Sequence, residues 1–162
     1  MVRFLPLFAA LLLLAACAGG PRLETTGVMH SVTPAQAAAE FPRLQGTRVL
    51  WGGRIVSSRN DPESTRLEVL AYPLDRSQRP RLDSDPQGRF LAVKAGYLET
   101  ADYAPGRAVT LTGELVATEA GRIGEADYTF PKVRVNQLHL WPERRRAQEP
   151  RFHFGIGVIF GN

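Results

Sequence analysis

Cys17 is the residue whose neighbours give it the clearest chemistry, and it is the only cysteine among 162 residues. It follows Leu14-Ala15-Ala16, behind a basic Arg3 and an apolar run from Phe4 to Leu14. A basic start, a short apolar run and small residues before the cleavage point are typical of a signal peptide, and this run is shorter than the roughly 20 residues that span a bilayer. With a cysteine directly after it, the segment is a lipobox. It predicts a signal peptide over residues 1–16 and lipidation of Cys17.

Lipidation would place acyl chains on the Cys17 sulfur and on the amino group that cleavage frees. At ~0.8 kcal/mol per buried CH₂, one chain holds a protein marginally, whereas two or three hold it stably. Ala18-Gly19-Gly20-Pro21 has nothing apolar to bury and predicts a flexible start to a lipidated tether over residues 17–32. Because Ala18 is not the Asp that retains such proteins in the inner membrane, we expect anchoring in outer-membrane lipid, facing the periplasm. An ordinary secretory signal with a chance cysteine and a buried structural thiol are the alternatives.

The remaining reactive residue types lack the spacing of a catalytic or metal centre. His30, His139 and His153 are far apart, with no cysteine or carboxylate at ligand spacing. Asp83-Ser84-Asp85 resembles the start of a calcium loop, but the other acidic ligands are missing and Pro86 interrupts it. No Gly-x-Ser-x-Gly elbow of a serine hydrolase occurs. We therefore expect no enzyme, no metal and no cofactor.

Three further motifs have ordinary structural interpretations beside functional ones. Gly121-Arg122-Ile123-Gly124 lacks the third glycine of a phosphate loop and predicts a hairpin turn. Tyr72-Pro73-Leu74-Asp75 could form a binding rim, but a proline that ends a strand before an aspartate favours a chain reversal. Trp51 and Trp141 could stack on a ligand, although core packing is the favoured role for both.

The length and charge of the remaining chain limit its domain number and its possible partners. Removal of the signal leaves about 145 residues, the size of one ordinary domain, which we place at residues 33–142. The formal charge of +4 is scattered apart from Arg144-Arg145-Arg146, which argues against nucleic acid as a partner. A single cysteine also excludes an internal disulfide.

A short helix opens the domain and five strands follow it. Thr33-Pro34-Ala35-Gln36 has the spacing of a capping box with proline at the first helical position, and the helix is predicted to stop at Pro42. Alternation and turn residues predict the strands. These are a long first strand at 48–58 bent at Gly52-Gly53, a second at 65–72, a third at 90–93, a fourth at 109–115 and a fifth at about 128–140.

Side-chain parity predicts which face of each strand is buried. Leu67, Val69 and Ala71 alternate with Arg66 and Glu68 in the second strand. In the fourth strand the apolar face is set against a polar one made of Thr110, Thr112 and Glu114. The fifth strand has Val133 and Val135 inward, with Lys132, Arg134 and Asn136 outward, but Leu138 and Leu140 have the other parity. This slip predicts a β-bulge near Asn136-Gln137.

The pattern predicts a mainly β fold. Five strands with a long, glycine-bent first strand fit a small closed or partly open barrel of the OB type, with a short N-terminal helix and an extended C-terminal tail. A small sandwich is the alternative. The tail, residues 143–162, is a polar linker followed by alternating Phe152, Phe154, Ile156 and Val158. It could add to an envelope protein partner's sheet, rest on the membrane or cover an edge of its own domain.

Several sequence runs in fixed order resemble the Slp family of starvation-inducible outer-membrane lipoproteins. The similarity extends over 41–142, with one departure, because the family's Gly-Phe-Leu-Asp-Pro is here Gly96-Tyr97-Leu98-Glu99-Thr100. The runs are Trp51-Gly52-Gly53-Arg54-Ile55-Val56, the segment 65–75 that ends in Tyr72-Pro73-Leu74-Asp75, Gly88-Arg89-Phe90, Gly121-Arg122-Ile123-Gly124-Glu125, Tyr128-Thr129-Phe130-Pro131 and Leu140-Trp141-Pro142. The resemblance implies an envelope lipoprotein linked to starvation or stress, without established enzymatic activity.

Two function classes follow from these observations. The first is a structural or adaptor module of the envelope. The second is a periplasmic binding module that holds a saccharide or another small ligand on an OB-like face. Stacking aromatic side chains clustered on one open barrel face would favour the second class, whereas a featureless face together with an ordered contact of the tail would favour the first.

Overall fold

The computed structural model describes residues 22–143, a mainly β structure. Two short helices, α1 (Pro34–Ala39) and α2 (Phe41–Leu44), precede five strands, which are β1 (Arg48–Asn60), β2 (Ser64–Ala71), β3 (Arg89–Ala95), β4 (Ala108–Ile123) and β5 (Ala126–Leu140). The strands close into a barrel in the order β1-β2-β3-β5-β4, in which only β3 and β5 are parallel neighbours. The predicted five-stranded barrel with an N-terminal helix is confirmed, and the sandwich alternative is wrong. Cys17 and residues 144–162 lie outside the described residues.

Gly53 lets β1 pair with two strands at once. Its Cα partners are Ala71 of β2 and Val109 of β4, so β1 changes neighbours at this point. A Cβ atom at Gly53 would lie 1.9 Å from the carbonyl oxygen of Leu70. Only glycine permits this close approach, at one of the two glycines where the first strand is predicted to bend.

A β-bulge in β5 reverses its side-chain parity, as predicted. Thr112 of β4 is paired with Gln137, but the next residue, Gly113, is paired with Val135, so that Asn136 is the extra residue. One inserted residue moves every later side chain to the opposite face. Leu138 and Leu140 therefore also pack against the core.

The core lies inside the barrel and the helices close one side of it. Ala37 of α1 and Leu44 of α2 belong to the same buried cluster as the inward side chains of the strands. The predicted capping box at Thr33 is present. The predicted helix ends at Ala39, before Pro42. The second helix, α2, was not predicted, and Pro42 lies in its first turn, where its missing N–H has no helical acceptor to lose.

The outward face of β4 is not solvated where the sequence predicts a polar face. Thr110 and Thr112 are fully buried. The Thr110 hydroxyl donates to the carbonyl oxygen of Gln78 at 2.7 Å and accepts from the Trp141 indole N–H at 2.9 Å. The loop after β2 and the end of β5 cover this face, which alternation within β4 cannot reveal.

β4 runs eight residues beyond its predicted end, to Ile123, whereas β5 matches its predicted range to within two residues, and the two strands form a long hairpin. Their pairing continues from Ala117 with Lys132 out to Ile123 with Ala126. The prediction for β4 stopped short because the residues of this strand beyond Leu115 carry no buried apolar face. Backbone hydrogen bonding, which has no sequence period, sustains the hairpin there.

Candidate functional site

The chain that follows the predicted anchor is fixed to the barrel from Leu23 onwards. The Leu23 N–H donates to the Gln78 Oε1 at 2.8 Å, and the Gln78 side-chain amide donates back to the Leu23 carbonyl at 3.2 Å. The Glu24 N–H donates to Gln137 Oε1 at 2.8 Å. These bonds link the N-terminal segment to the loop after β2 and to β5.

The rest of the N-terminal segment follows β1. Met29 forms a parallel bridge with Val49, and its N–H donates to the carbonyl oxygen of Arg48 at 2.8 Å. The indole N–H of Trp51 donates to the carbonyl oxygen of Val32 at 2.7 Å. Within the predicted tether 17–32, residues 23–32 are therefore in contact with the barrel.

Tyr72-Pro73-Leu74-Asp75 reverses the chain after β2, as predicted. Asp75 Oδ1 accepts from the N–H and hydroxyl of Ser77, at 2.8 and 2.6 Å, and from the Arg79 N–H at 3.0 Å. These hydrogen bonds lower the pKa of Asp75. The bond from the Ser77 hydroxyl has the largest effect and the bond from the Arg79 N–H the next largest. Gln78 takes a positive φ of 65° at the tip. The aspartate therefore stabilises a turn.

A groove of about 450 Å³ lies between this turn, β1 and the N-terminal segment. Trp51, Tyr72, Leu74 and Val32 are among the apolar residues of its wall. Two of its polar side chains are already bonded, since Asp75 accepts donors of its own turn and the amide of Gln78 holds Leu23. The groove also contains other polar residues, among them His30, Ser31 and Gln87, and an apolar wall with a few polar groups is typical of small-molecule sites.

Trp141 organises a second groove, of about 420 Å³, at the end of β5. The indole is 6% exposed, and His139 packs edge-on against it at 4.4 Å between ring centroids. The Arg79 guanidinium lies 5.2 Å from the ring centroid. Burial has the largest effect on the pKa of His139 and lowers it, and the positive charge of Arg79 lowers it further.

Both tryptophans have the packing role that was favoured for them. Trp51 is 4% exposed and lies 5.0 Å from the Phe90 ring. Trp141 is held by its bond to the buried Thr110 hydroxyl. Neither ring offers a free face for a ligand to stack on.

The face between the β1–β2 and β4–β5 hairpins, here called the hairpin face, is where OB folds bind ligands. Glu119 joins two cations on it, since its carboxylate lies 2.6 Å from Arg66 Nη1 and 2.6 Å from Lys132 Nζ. The hydrogen bond from Lys132 is the largest cause that lowers the pKa of Glu119, and the Arg66 bond and charge add to it. A further pair joins Arg89 and Glu68 at 2.7 Å.

The aromatic rings beside the hairpin face are not free to stack. Phe130 is buried, and Tyr128 packs against it at 4.7 Å between centroids. The Tyr128 hydroxyl accepts from the Arg89 N–H at 2.8 Å. Within residues 22–143 the one strongly exposed aromatic side chain is Tyr97, 76% exposed in the loop after β3.

The other sequence motifs are not brought together. Gly121-Arg122-Ile123-Gly124 ends β4 at a two-residue hairpin turn, as predicted, with Gly124 at a positive φ of 61°. Asp83-Ser84-Asp85 lies in the connection between β2 and β3. In the described part of the chain there is no group of three or more His, Cys, Asp or Glu side chains that could hold a metal ion. His153 lies outside it, as do Cys17 and the tail.

Sequence reasoning missed the ion pairs of the hairpin face and the role of Gln78. The charges of Arg66 and Glu68 on the outward face of β2 were visible, but their partners come from other strands. Gln78 had no motif that could mark it. Among residues 22–143, no helix has both the length and the apolar character needed to cross a membrane.

Comparison with known proteins identifies the family. A family model described as "Outer membrane lipoprotein Slp family" matches residues 14–158. The uncharacterized lipoprotein YeaY of Escherichia coli (strain K12) is 33% identical over 122 residues, which are 72% of this chain and 63% of that protein. The outer membrane protein Slp of the same strain is 29% identical over 96 residues, which are 59% of this chain and 50% of that protein. The chain thus matches between half and two thirds of the length of these relatives.

Among solved structures, a putative aspartyl-tRNA synthetase from Leishmania major Friedlin is 16% identical, with a TM-score of 0.44 over 83% of this chain and 26% of that one. At that score the likeness bears on neither fold nor function. The family model, by contrast, covers nearly the whole chain, from the segment predicted to be a lipobox into the tail. Neither its description nor the names of the two lipoprotein relatives indicates a catalytic activity. The chain belongs to the Slp family of outer-membrane lipoproteins.

Proposed function

We propose that this protein is a structural or adaptor module of the cell envelope, anchored to the outer membrane through acylated Cys17 and facing the periplasm. Its role is linked to starvation or envelope stress, as the resemblance to the Slp family implies. A single observation carries the choice of an adaptor over a ligand-binding module. The charges of the hairpin face are paired with one another and its aromatic rings are packed, so the face offers no stacking platform for a sugar or a base.

Acylation of Cys17 is tested by metabolic labelling with palmitate. We expect the wild-type chain to carry the label and to sediment with the outer membrane, and Cys17→Ser to remain unprocessed and unlabelled. The matched control is Ser31→Ala, which lies beyond the lipobox and should be labelled like the wild type. Label retained on Cys17→Ser would contradict the proposed anchor.

The adaptor role is tested by photo-crosslinking in cells. Photoreactive residues are placed on the hairpin face, at Glu125 and Thr129, and in the tail at Arg151. We expect a reproducible protein partner to be captured, in larger amount from starved cells than from growing ones. Crosslinks to lipid and to the chain itself alone would contradict an adaptor and would move attention to the groove beside Trp51 as a ligand site.

A further inference from the structure

We infer that the barrel rests on the membrane by one particular face, on which the guanidinium groups of Arg22 and Arg76 contact lipid headgroups and Leu82 contacts the lipid beside them. This anchor face is defined by Arg22, Arg76 and Leu82, and Arg79 supports it through its contacts with Trp141 and Pro142. The inference rests on the proposed acylation of Cys17. It adds an orientation and a lipid-contacting surface to the anchor.

The segment between Cys17 and the barrel is short. From Cys17 to Leu23, where the chain is bonded to Gln78, there are six residue steps. A fully extended chain covers at most ~3.3–3.6 Å per residue, so the acylated end lies within about 20 Å of Leu23. A domain of this size has a radius of gyration of about 14 Å. The tether is therefore too short to pass around the barrel and present the opposite side to the membrane.

Two exposed arginine side chains lie close to Leu23 in the fold or in the sequence. Its partner Gln78 belongs to the turn that also carries Arg76, which is exposed and has no carboxylate within 4.0 Å among the described residues. Arg22, the residue before Leu23, is exposed and is likewise without such a carboxylate. One oxygen of the turn's carboxylate, Asp75 Oδ1, accepts from three N–H and O–H donors of its own turn, and the carboxylate makes no ion pair with Arg76. Guanidinium groups in this state are available to phosphate oxygens.

Leu82 supplies an apolar contact beside these cations. It is 40% exposed and lines the Trp141 groove together with Arg79. Asp83 follows Leu82 directly, so the anchor face does not carry a strong net positive charge. Its contacts with headgroups therefore depend on individual guanidinium groups. An exposed leucine next to arginine side chains suits the boundary between headgroups and acyl chains.

The end of β5 lies against the same loop. Arg79 donates to the carbonyl oxygen of Pro142 at 3.2 Å, and Arg107 donates to that of Trp141 at 3.3 Å. The loop that carries Arg76 is therefore held in place from the N-terminal segment, through Gln78, and from the end of β5, through Arg79.

The hairpin face then points away from the membrane. Thr110, whose hydroxyl is bonded to Gln78, is twelve residues along β4 from Arg122 at the hairpin tip. At about 3.3 Å per residue, the tip lies up to about 40 Å from the anchor face. The tip is therefore available to envelope components in the periplasm.

Orientation is measured on the full, acylated protein in vesicles of phosphatidylethanolamine and phosphatidylglycerol. The sulfur of Cys17 is blocked by its acyl chain, so a fluorophore can be attached to Asp83→Cys on the anchor side or to Glu125→Cys at the hairpin tip. A lipid with a nitroxide on its headgroup serves as the quencher. We expect several-fold stronger quenching at position 83 than at position 125.

Two matched double variants test whether the anchor-face side chains contact the headgroups or only lie near them. Arg76→Glu with Leu82→Gln should lower the quenching at position 83 several-fold, whereas Arg122→Glu with Tyr97→Gln at the far end should leave it unchanged. Melting temperatures equal to that of the wild type show that both variants fold. An unchanged signal in the anchor-face variant would overturn the headgroup contact.

The remaining outcomes distinguish this inference from the proposal on which it rests. Mass spectrometry before reconstitution reports whether Cys17 is acylated. A chain without acyl groups would overturn the proposed anchor and the inference together. An acylated chain with equal quenching at both positions, or with stronger quenching at position 125, would overturn only the inference.

Discussion

The two ends of this molecule use arginine in opposite ways. On the hairpin face, Arg66 and Arg89 each have a carboxylate within 2.7 Å, and Glu119 also holds Lys132. On the anchor face, Arg76 has no such partner among the described residues. Paired charges give a self-contained surface that has little left to offer a charged ligand. Unpaired ones add little to folding but are ready for an external phosphate or carboxylate.

The two ends also differ in what supports them. The loop of the anchor face rests on Trp141, through the buried Thr110 hydroxyl and the Arg79 guanidinium. The hairpin face is linked by partly exposed ion pairs, and beyond Leu115 its strands have few buried side chains. The free energy that supports the anchor face therefore comes mainly from burial, and at the hairpin face a larger share comes from electrostatic contacts.

The largest expected effect is at Trp141. Trp141→Ala should lower the free energy of unfolding by about 3–5 kcal/mol, because it removes a large buried ring and leaves a cavity. Trp141→Phe should cost about 1–2 kcal/mol, since packing is partly retained while the Thr110 hydroxyl loses the indole donor. Urea denaturation measures both. If Trp141→Ala lowers the free energy of unfolding by less than about 1 kcal/mol, burial of Trp141 does not stabilise the anchor face.

An intermediate effect is expected at Glu119. Glu119→Gln should lower the free energy of unfolding by about 1 kcal/mol, because Arg66 and Lys132 lose their shared carboxylate at a partly exposed site. Glu125→Gln, at the exposed hairpin turn and outside any ion pair of the described residues, is the matched control and should change nothing. Equal stabilities of the two variants would show that the ion pairs do not hold the hairpin face.

The same carboxylate gives a pH dependence of known sign. The folded protein lowers the pKa of Glu119 below its ordinary value, mainly through the Lys132 hydrogen bond. Its stabilisation is therefore present above the unfolded pKa, about 4.3, and is lost as the pH falls through the lower folded value. The stability difference between the wild type and Glu119→Gln should shrink below about pH 4.3. A difference that grows on acidification would contradict the ion pair.

The smallest effect is expected at Arg76. Arg76→Ala should change the free energy of unfolding by less than about 0.5 kcal/mol, because no described carboxylate or hydrogen-bond acceptor holds its side chain. The same denaturation series checks it. A loss as large as that of Glu119→Gln would mean that Arg76 is engaged within the protein, and the contrast between the two ends would fail.

Much of the barrel could be predicted because it depends on local patterns. The capping box at Thr33, the alternation of β2 and the bend at Gly53 each involve a few neighbouring residues. The bulge at Asn136 was visible because a parity slip is recorded within one strand. The second helix was missed, because Pro42 predicts a helix end although proline is also tolerated in a first helical turn.

The functional surfaces could not be predicted in the same way. The bond between Leu23 and Gln78 joins residues 55 positions apart, and that between Arg66 and Glu119 joins residues 53 apart. Neither contact leaves a period or a motif in the sequence. Thr110 shows the same limit, because alternation places it on a polar face while a distant loop buries it.

The sequence by itself determined the family of this protein, its mainly β class and the positions of its five strands along the chain, because caps, turns and strand parity depend on residues close together in the chain. Only the tertiary structure decided which charges are paired and where the N-terminal segment meets the barrel. Electrostatic and hydrogen-bond partners are set by distances in space, and barrel closure brings together residues that no local pattern relates.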